Sequence, residues 1–193
     1  MSNKPKILAF AGSTRKESYN KKLVRLAAEL TRSAGAEVTL IDLRDFTLPV
    51  FDEDLEAASG LPEAAVRLKR LMMEHHGFLI ACPEYNSSIT AVLKNAIDWA
   101  SRRAKDEAPL ECFRGKLAAL IAASPGALGG LRGLVTVRSI LGNIGMLVLP
   151  DQVAIPVANE AFNANGSLVD DKRLQTLKAL CEQIVKLARN LTA

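Results

Sequence analysis

Ser13, Arg15, Ser18 and Asn20 crowd into eight positions directly after Gly12 and the apolar run Ile7-Leu8-Ala9-Phe10-Ala11. Downstream, Leu23, Leu26, Ala27 and Leu30 repeat at the i, i+3, i+4, i+7 spacing of a helix with one apolar stripe. A strand, a polar turn and a helix start in this order suit an anion. The helix N-terminus offers unpaired N–H groups and the positive end of its dipole. Ser13, Ser18 and Asn20 add short donors, and Arg15 can fork two hydrogen bonds onto phosphate oxygens. Capping alone would need one such residue, not four. The turn reads as a phosphate site.

Elements able to carry such a turn alternate along the chain. Strands are expected at 7–11, 37–43, 77–82 and 116–123, with a fifth assembled from 146–149 and 153–155. Helices are expected at 18–33, 62–76, 89–103, from the glycine-rich stretch to about 143, and at 170–191. The first, third and fourth strands are apolar almost throughout rather than alternating, the pattern of strands covered on both faces. The reading is α/β: a doubly wound, open parallel sheet with helices on both faces, in one domain spanning 1–193. Ligands of such sheets gather at the carboxyl ends of the strands.

Chemistry should therefore lie in the turns that follow the strands. The third strand leads into Pro83-Glu84-Tyr85-Asn86-Ser87-Ser88, a rigid proline followed by an amphipathic ring, amides and hydroxyls. The fourth leads into Ser124-Pro125-Gly126-Ala127-Leu128-Gly129-Gly130, where glycines let backbone approach a ligand closely. A phosphate turn beside a polar turn and a glycine-rich turn fits a phosphorylated, planar molecule lying along the sheet edge.

Composition narrows the classes. There are 25 Lys+Arg against 21 Asp+Glu, a net charge of +4, a mild bias toward anionic ligands. No basic block interleaved with aromatics points to nucleic acid, and no run of 18 apolar residues points to a membrane span. Met1-Ser2-Asn3-Lys4-Pro5-Lys6 reads as a strand entry rather than a signal peptide. Cys82, Cys112 and Cys181 are far apart and odd in number, which suggests reduced thiols and a cytoplasmic setting. Cys82 ends an apolar strand and reads as core. His75 and His76 are expected in the last helical turn, where they would favour the dipole. A metal site at Glu74, His75 and His76 is not expected, because adjacent helical residues do not face each other.

Four motifs together resemble one family. They are Gly12-Ser13-Thr14-Arg15-x-x-Ser18-x-Asn20, Leu48-Pro49-Val50-Phe51-Asp52-Glu53-Asp54, Pro83-Glu84-Tyr85-Asn86-x-Ser88 with Leu93-Lys94-Asn95-Ala96-Ile97-Asp98-Trp99, and Ser124-Pro125-Gly126. The chain resembles the NAD(P)H-dependent FMN reductases of the flavodoxin-like class, which include quinone, azo-dye and chromate reductases. The resemblance implies a five-stranded flavodoxin-like sheet, bound FMN, and NADPH or NADH as co-substrate. It implies that Ser13, Arg15, Ser18, Tyr19 and Asn20 surround the FMN phosphate. Pro83, Glu84, Tyr85, Asn86 and Ser87 would line the isoalloxazine edge, and Ser124 with Gly126 would border its other side. Relatives in the chromate-reducing branch carry a bulkier, more polar turn than Ala127-Leu128-Gly129-Gly130, which leaves the acceptor among free flavin, quinones, azo compounds and oxyanions.

Hydride transfer through a flavin requires no side-chain nucleophile or general acid, so no catalytic side chain is assigned. Donor and acceptor would use the same open face in turn. Arg102 and Arg103 read as spare cations that could meet the 2′-phosphate of NADPH. The apolar Val92, Leu93, Ala96, Ile97, Trp99 and Ala100 cover more than one helix face, which suggests contact with another subunit, and the resemblance implies a homodimer or homotetramer. The alternative is a flavodoxin-type electron carrier without independent turnover. The basic charge, one Trp and two Tyr speak against it, since such carriers are usually acidic and sandwich the flavin between aromatics. A serine hydrolase lacks G-x-S-x-G, and P-loop and dinucleotide-binding fingerprints are missing too.

Overall fold

The computed structural model describes residues 4–192, so Met1, Ser2 and Asn3 of the expected strand entry lie outside the described residues. Five parallel strands form the sheet: β1 (Lys6–Ala11), β2 (Glu37–Leu40), β3 (Gly77–Ala81), β6 (Leu117–Ala123) and β7 (Leu147–Ile155). Their order is β2-β1-β3-β6-β7, the flavodoxin-like order. The chain switches direction at β1, so the turns after β1 and β3 lead away from each other and leave a crevice between them. A small hairpin, β4 (Glu84–Tyr85) with β5 (Ser88–Ile89), rises from the end of β3.

The apolar strands are explained by two cores. Ile7, Ala9 and Ala11 of β1 face one way, against α1 (Tyr19–Ser33) and α6 (Asp171–Thr192). Leu8 and Phe10 face the other, against α3 (Glu63–Glu74), α4 (Ala91–Ser101) and α5 (Leu131–Asn143). Every side chain of β3 and β6 is buried. Each such Leu or Ile contributes about 1.5–3 kcal/mol to the core beneath the turns.

Several boundaries depart from expectation. The second strand stops at Leu40, and Leu43–Asp45 forms a short 3₁₀ turn capped by Asp42. The expected long connection contains α2 (Glu53–Ser59), capped by Asp52 and burying none of its own residues. Pro62 is the N-cap of α3 rather than a first-turn residue. His75 is the C-cap and His76 lies beyond it, so neither sits in the last turn. Ser88 and Ile89 pair in the hairpin, so α4 begins later than expected. The fifth strand runs unbroken through Pro150, because β7 is an edge strand whose pairing shifts register between Ala118 and Leu120. Among the described residues no helix is long and apolar enough to cross a membrane.

Candidate functional site

The three turns lie side by side because short bonds tie each to its neighbours. Gly12 N–H donates to the Ala81 carbonyl at 2.8 Å, and Thr90 Oγ1 donates to the Gly12 carbonyl at 2.7 Å. The same Thr90 oxygen accepts from Leu93 N–H and so caps α4. Gly12 must be glycine here: a Cβ would lie 2.8 Å from Leu93 Cβ. The first turn is thus clamped between β3 and the start of α4.

Within that turn, Ser13 is buried and its Oγ accepts from Arg15 N–H at 3.3 Å. The exposed Arg15 guanidinium donates to the Glu17 carbonyl at 3.2 Å. Ser18 stands at the N-cap of α1 with extended backbone, yet its side chain makes no capping bond. The first turn of α1 carries no acidic residue either. This N-terminus is therefore neither capped nor neutralised by the protein's own side chains, as an incoming phosphate requires. Tyr19 packs half-buried on the core with Lys22 Nζ 5.7 Å from its ring centre.

Asn20 behaves differently from expectation. Its Nδ2 donates to the Ala123 carbonyl at 2.8 Å, and its Oδ1 accepts from Ala123 N–H at 3.0 Å. The buried amide continues the hydrogen bonding of β6 and locks α1 to it. Both the oxygen and the nitrogen of the side-chain amide are thus engaged by β6.

In the second turn Pro83 is buried, while Tyr85 is 55% exposed at the edge. Asn86 (φ 52°) and Ser87 (φ 64°) are both left-handed, forming the tight two-residue tip of the β4–β5 hairpin. Glu84, expected at the ring edge, turns its carboxylate inward. It accepts from Arg132 Nε at 3.0 Å and from Gly133 N–H, the third residue of α5, also at 3.0 Å. The carboxylate thus serves α5.

The third turn is braced by β7. Ser124 N–H donates to Ile155, and Ser124 Oγ accepts from Gly126 N–H at 3.3 Å. Gly129 has φ 63°, and a Cβ there would sit 2.6 Å from the Ile155 carbonyl carbon. Gly126 is open, with only Ser124 Oγ within reach of an added Cβ, at 3.7 Å. A flat ligand can approach the backbone at that point.

Two further expectations need correction. Arg102 is not spare: its Nε bonds both Glu56 carboxylate oxygens at 2.9 and 2.8 Å, and its guanidinium lies 5.2 Å from the Phe51 ring. The hydrogen bond that Arg102 donates to Glu56 raises its pKa further. Arg103 Nε donates to the Glu107 carbonyl at 2.6 Å. The second apolar face of α4 is covered by this chain itself. Trp99 is fully buried, packs edge-on against Phe51 at 5.0 Å and donates to the Pro49 carbonyl. Asn95 bonds Phe51 N–H and the Pro49 carbonyl, both at 2.8 Å. The Leu48–Phe51 motif is thus a strap held on α4, and α4 gives no ground for a second subunit.

Other features were hidden in the sequence. Lys21, buried beside the phosphate turn, pairs with Asp42 at 2.6 Å. Burial pushes the Asp42 carboxyl up, but the bonds from Lys21 and from Arg44 N–H outweigh it and hold the pKa below the usual range. Thr90 was accessible in principle, as a threonine immediately before an apolar helix. Cys82 is core, and complete burial pushes its thiol far above the reactive range. Among the described residues no cluster of three His, Cys, Asp or Glu could hold a metal.

The chain as a whole is similar to known proteins. The chain is 35% identical to an NAD(P)H-dependent FMN reductase of Pseudomonas aeruginosa, over 99% of each chain. It is also 35% identical to a quinone reductase of Pseudomonas putida, over 98% of this chain and 99% of the other. The solved flavoenzyme NAD(P)H:(acceptor) oxidoreductase of Paracoccus denitrificans superimposes with a TM-score of 0.79 at 29% identity, covering 96% of this chain and 98% of that one. Residues 5–160 match the model of the NADPH-dependent FMN reductases, and the chain belongs to that family.

Proposed function

We propose that this protein is an FMN-dependent oxidoreductase that passes two electrons from NAD(P)H to a small acceptor, a quinone or free flavin first among them. The carrying observation is the uncapped, acid-free start of α1, ringed by Ser13, Arg15 and Ser18 and set beside a hairpin tip and an open glycine turn. Those features fit a planar mononucleotide: a dianion for the helix, a flat head for the two further turns. Family membership and the similarity to reductases of both acceptor classes support the same reading.

In this reading Ser13, Arg15, Ser18 and Tyr19 hold the phosphate, with Asn20 fixing the helix that presents it. The backbone of Pro83, Glu84, Tyr85, Asn86 and Ser87 runs along one ring edge, and Ser124 with Gly126 borders the other. Bound FMN would accept a hydride from the nicotinamide and release the electrons to the acceptor. The protein's own task is to hold the ring's position and leave one face accessible. A homodimer or homotetramer is kept in the proposal on a different surface from α4. Leu128, Leu131 and Val135, 49%, 41% and 59% exposed, line up beside the hairpin as an apolar strip that a second copy would cover.

Purified protein should be yellow, carry FMN, and oxidise NAD(P)H steadily with a quinone present. Arg15→Ala should weaken FMN binding by about 1.5–3 kcal/mol, the value of a charged hydrogen bond. Colourless protein that takes up no added FMN would end the proposal, and unchanged affinity in the variant would remove Arg15 from the site.

A further inference from the structure

Between the end of β2 and the first turns of α4 lies a cleft of about 190 Å³ that the flavin contacts above do not use. Its lining includes Thr14 of the turn after β1 together with Arg44 and Thr47. Phe46, Leu48 and Val92 supply an apolar floor. The strap carrying Leu48 is pinned by Asn95, so that floor is built rather than incidental.

Guanidinium groups near this cleft are mostly committed. Arg102 is bound to Glu56, and Arg67 to Glu63 and the Asp45 carbonyl while lying over Phe46. Arg44 uses its backbone N–H on Asp42, but its side chain has no hydrogen-bond or ion-pair partner among the described residues. Asp42 feels its charge, yet that carboxylate is already paired with Lys21. A solvated arginine at the mouth of an apolar slot, flanked by two threonine hydroxyls, matches a nucleotide: phosphate for the guanidinium, ribose for the hydroxyls, base for the floor.

We infer that Arg44 is a specificity residue that holds a phosphate of the incoming nicotinamide dinucleotide, with the adenosine end in the Thr14–Arg44–Phe46–Leu48–Val92 cleft. This rests on the phosphate turn holding FMN. A dinucleotide stacked on the ring must then lead its phosphates and adenosine away from it, and the cleft opens at the turn where the flavin ends. The phosphate is either the terminal 2′-phosphate of NADPH or the bridging pyrophosphate common to both donors.

The test uses the FMN-loaded protein with Arg44→Ala and Arg44→Lys. Adenosine 2′,5′-bisphosphate is titrated by calorimetry, and KM is measured for NADPH and NADH separately. Arg44→Ala should weaken bisphosphate binding at least tenfold, with Arg44→Lys between it and the parent, and FMN affinity should stay within twofold. A rise in KM confined to NADPH, with kcat steady, assigns Arg44 to the 2′-phosphate; an equal rise for both donors assigns it to the pyrophosphate. Bisphosphate affinity and both KM values within twofold of the parent would overturn the inference. A fault in the flavin assignment would show elsewhere, as failure of the parent protein to retain FMN.

Discussion

Two helices begin at the same edge of the sheet and meet the same electrostatic problem in opposite ways. At α5 the N-cap is Gly130, left-handed and unable to cap, and Glu84 reaches in from the neighbouring turn to bond the Gly133 N–H. At α1 the N-cap is Ser18, a residue type suited to capping, yet no side chain caps the helix and no carboxylate lies in its first turn. One N-terminus is satisfied by a carboxylate of this chain; the other has neither a side-chain cap nor an acid in its first turn, as the proposed phosphate site requires. The contrast separates a structural use of the helix dipole, with the Glu84 carboxylate bracing α5, from the binding use proposed for α1.

Placing a carboxylate at α1 should erase the difference. Ser18→Asp puts a negative charge where the phosphate is expected, and like charges brought together in a site cost several kcal/mol. FMN affinity should fall at least about a hundredfold, equivalent to roughly 2.7 kcal/mol. The flavin-free protein should gain about 0.5–1 kcal/mol from the new cap and dipole contact. Fluorescence titration with FMN, paired with urea unfolding of the apoprotein, reads both effects. Retained FMN affinity in this variant would place the phosphate elsewhere.

The converse change strips α5. Glu84→Ala leaves Gly133 N–H and Arg132 without their acceptor; because Arg132 is largely exposed, most of the loss falls on the helix N-terminus. About 2 kcal/mol of stability should go, a fall in Tm of roughly 4–8 °C for a chain of this size. Glu84→Gln keeps a neutral acceptor and should lose about half as much. A melting temperature unchanged in Glu84→Ala would show that α5 is not held from the hairpin.

Legibility in the sequence followed the range of the interactions concerned. β1, β3 and β6 could be read because burial on both faces forces unbroken apolar runs such as Leu117–Ala123. The polar turn after β1 could be picked out because its residues are consecutive. By contrast α2 buries nothing, so it leaves no apolar period; Asp52 and the distant Arg102 hold it. The inward turn of Glu84 depends on Arg132 and Gly133, 48 and 49 residues away. Asn20 looked like a ligand because an amide beside a phosphate turn and an amide bonding a strand 103 residues later look identical in sequence. The apolar faces of α4 pointed to another subunit for the same reason: their cover, Phe51, arrives from 48 residues upstream of Trp99.

The opposite edge of the sheet offers the smallest and most separable effect. His75 Nε2 meets Thr39 Oγ1 of β2 at 2.8 Å, its Nδ1 meets the Leu71 carbonyl, and His76 Nδ1 accepts from Lys6 N–H of β1. Burial is the main cause that pushes both imidazoles below their ordinary pKa. Lys116, ahead of β6, and Lys6 act the same way, and the Leu71 bond and Glu74 only partly oppose this at His75. The folded protein therefore resists protonation that the unfolded chain accepts near pH 6.5. Their contribution is complete above that pH and is lost as pH falls from 6.5 toward the lower folded values. Urea midpoints should decline between pH 7.5 and 5.5, and His75→Gln with His76→Asn should flatten the decline. Flavin release should follow unfolding in that range instead of preceding it, because no group of this cluster lies in the phosphate turn. An undiminished decline in the double variant would move the acid sensitivity away from these histidines, and early flavin loss would move it to the binding edge.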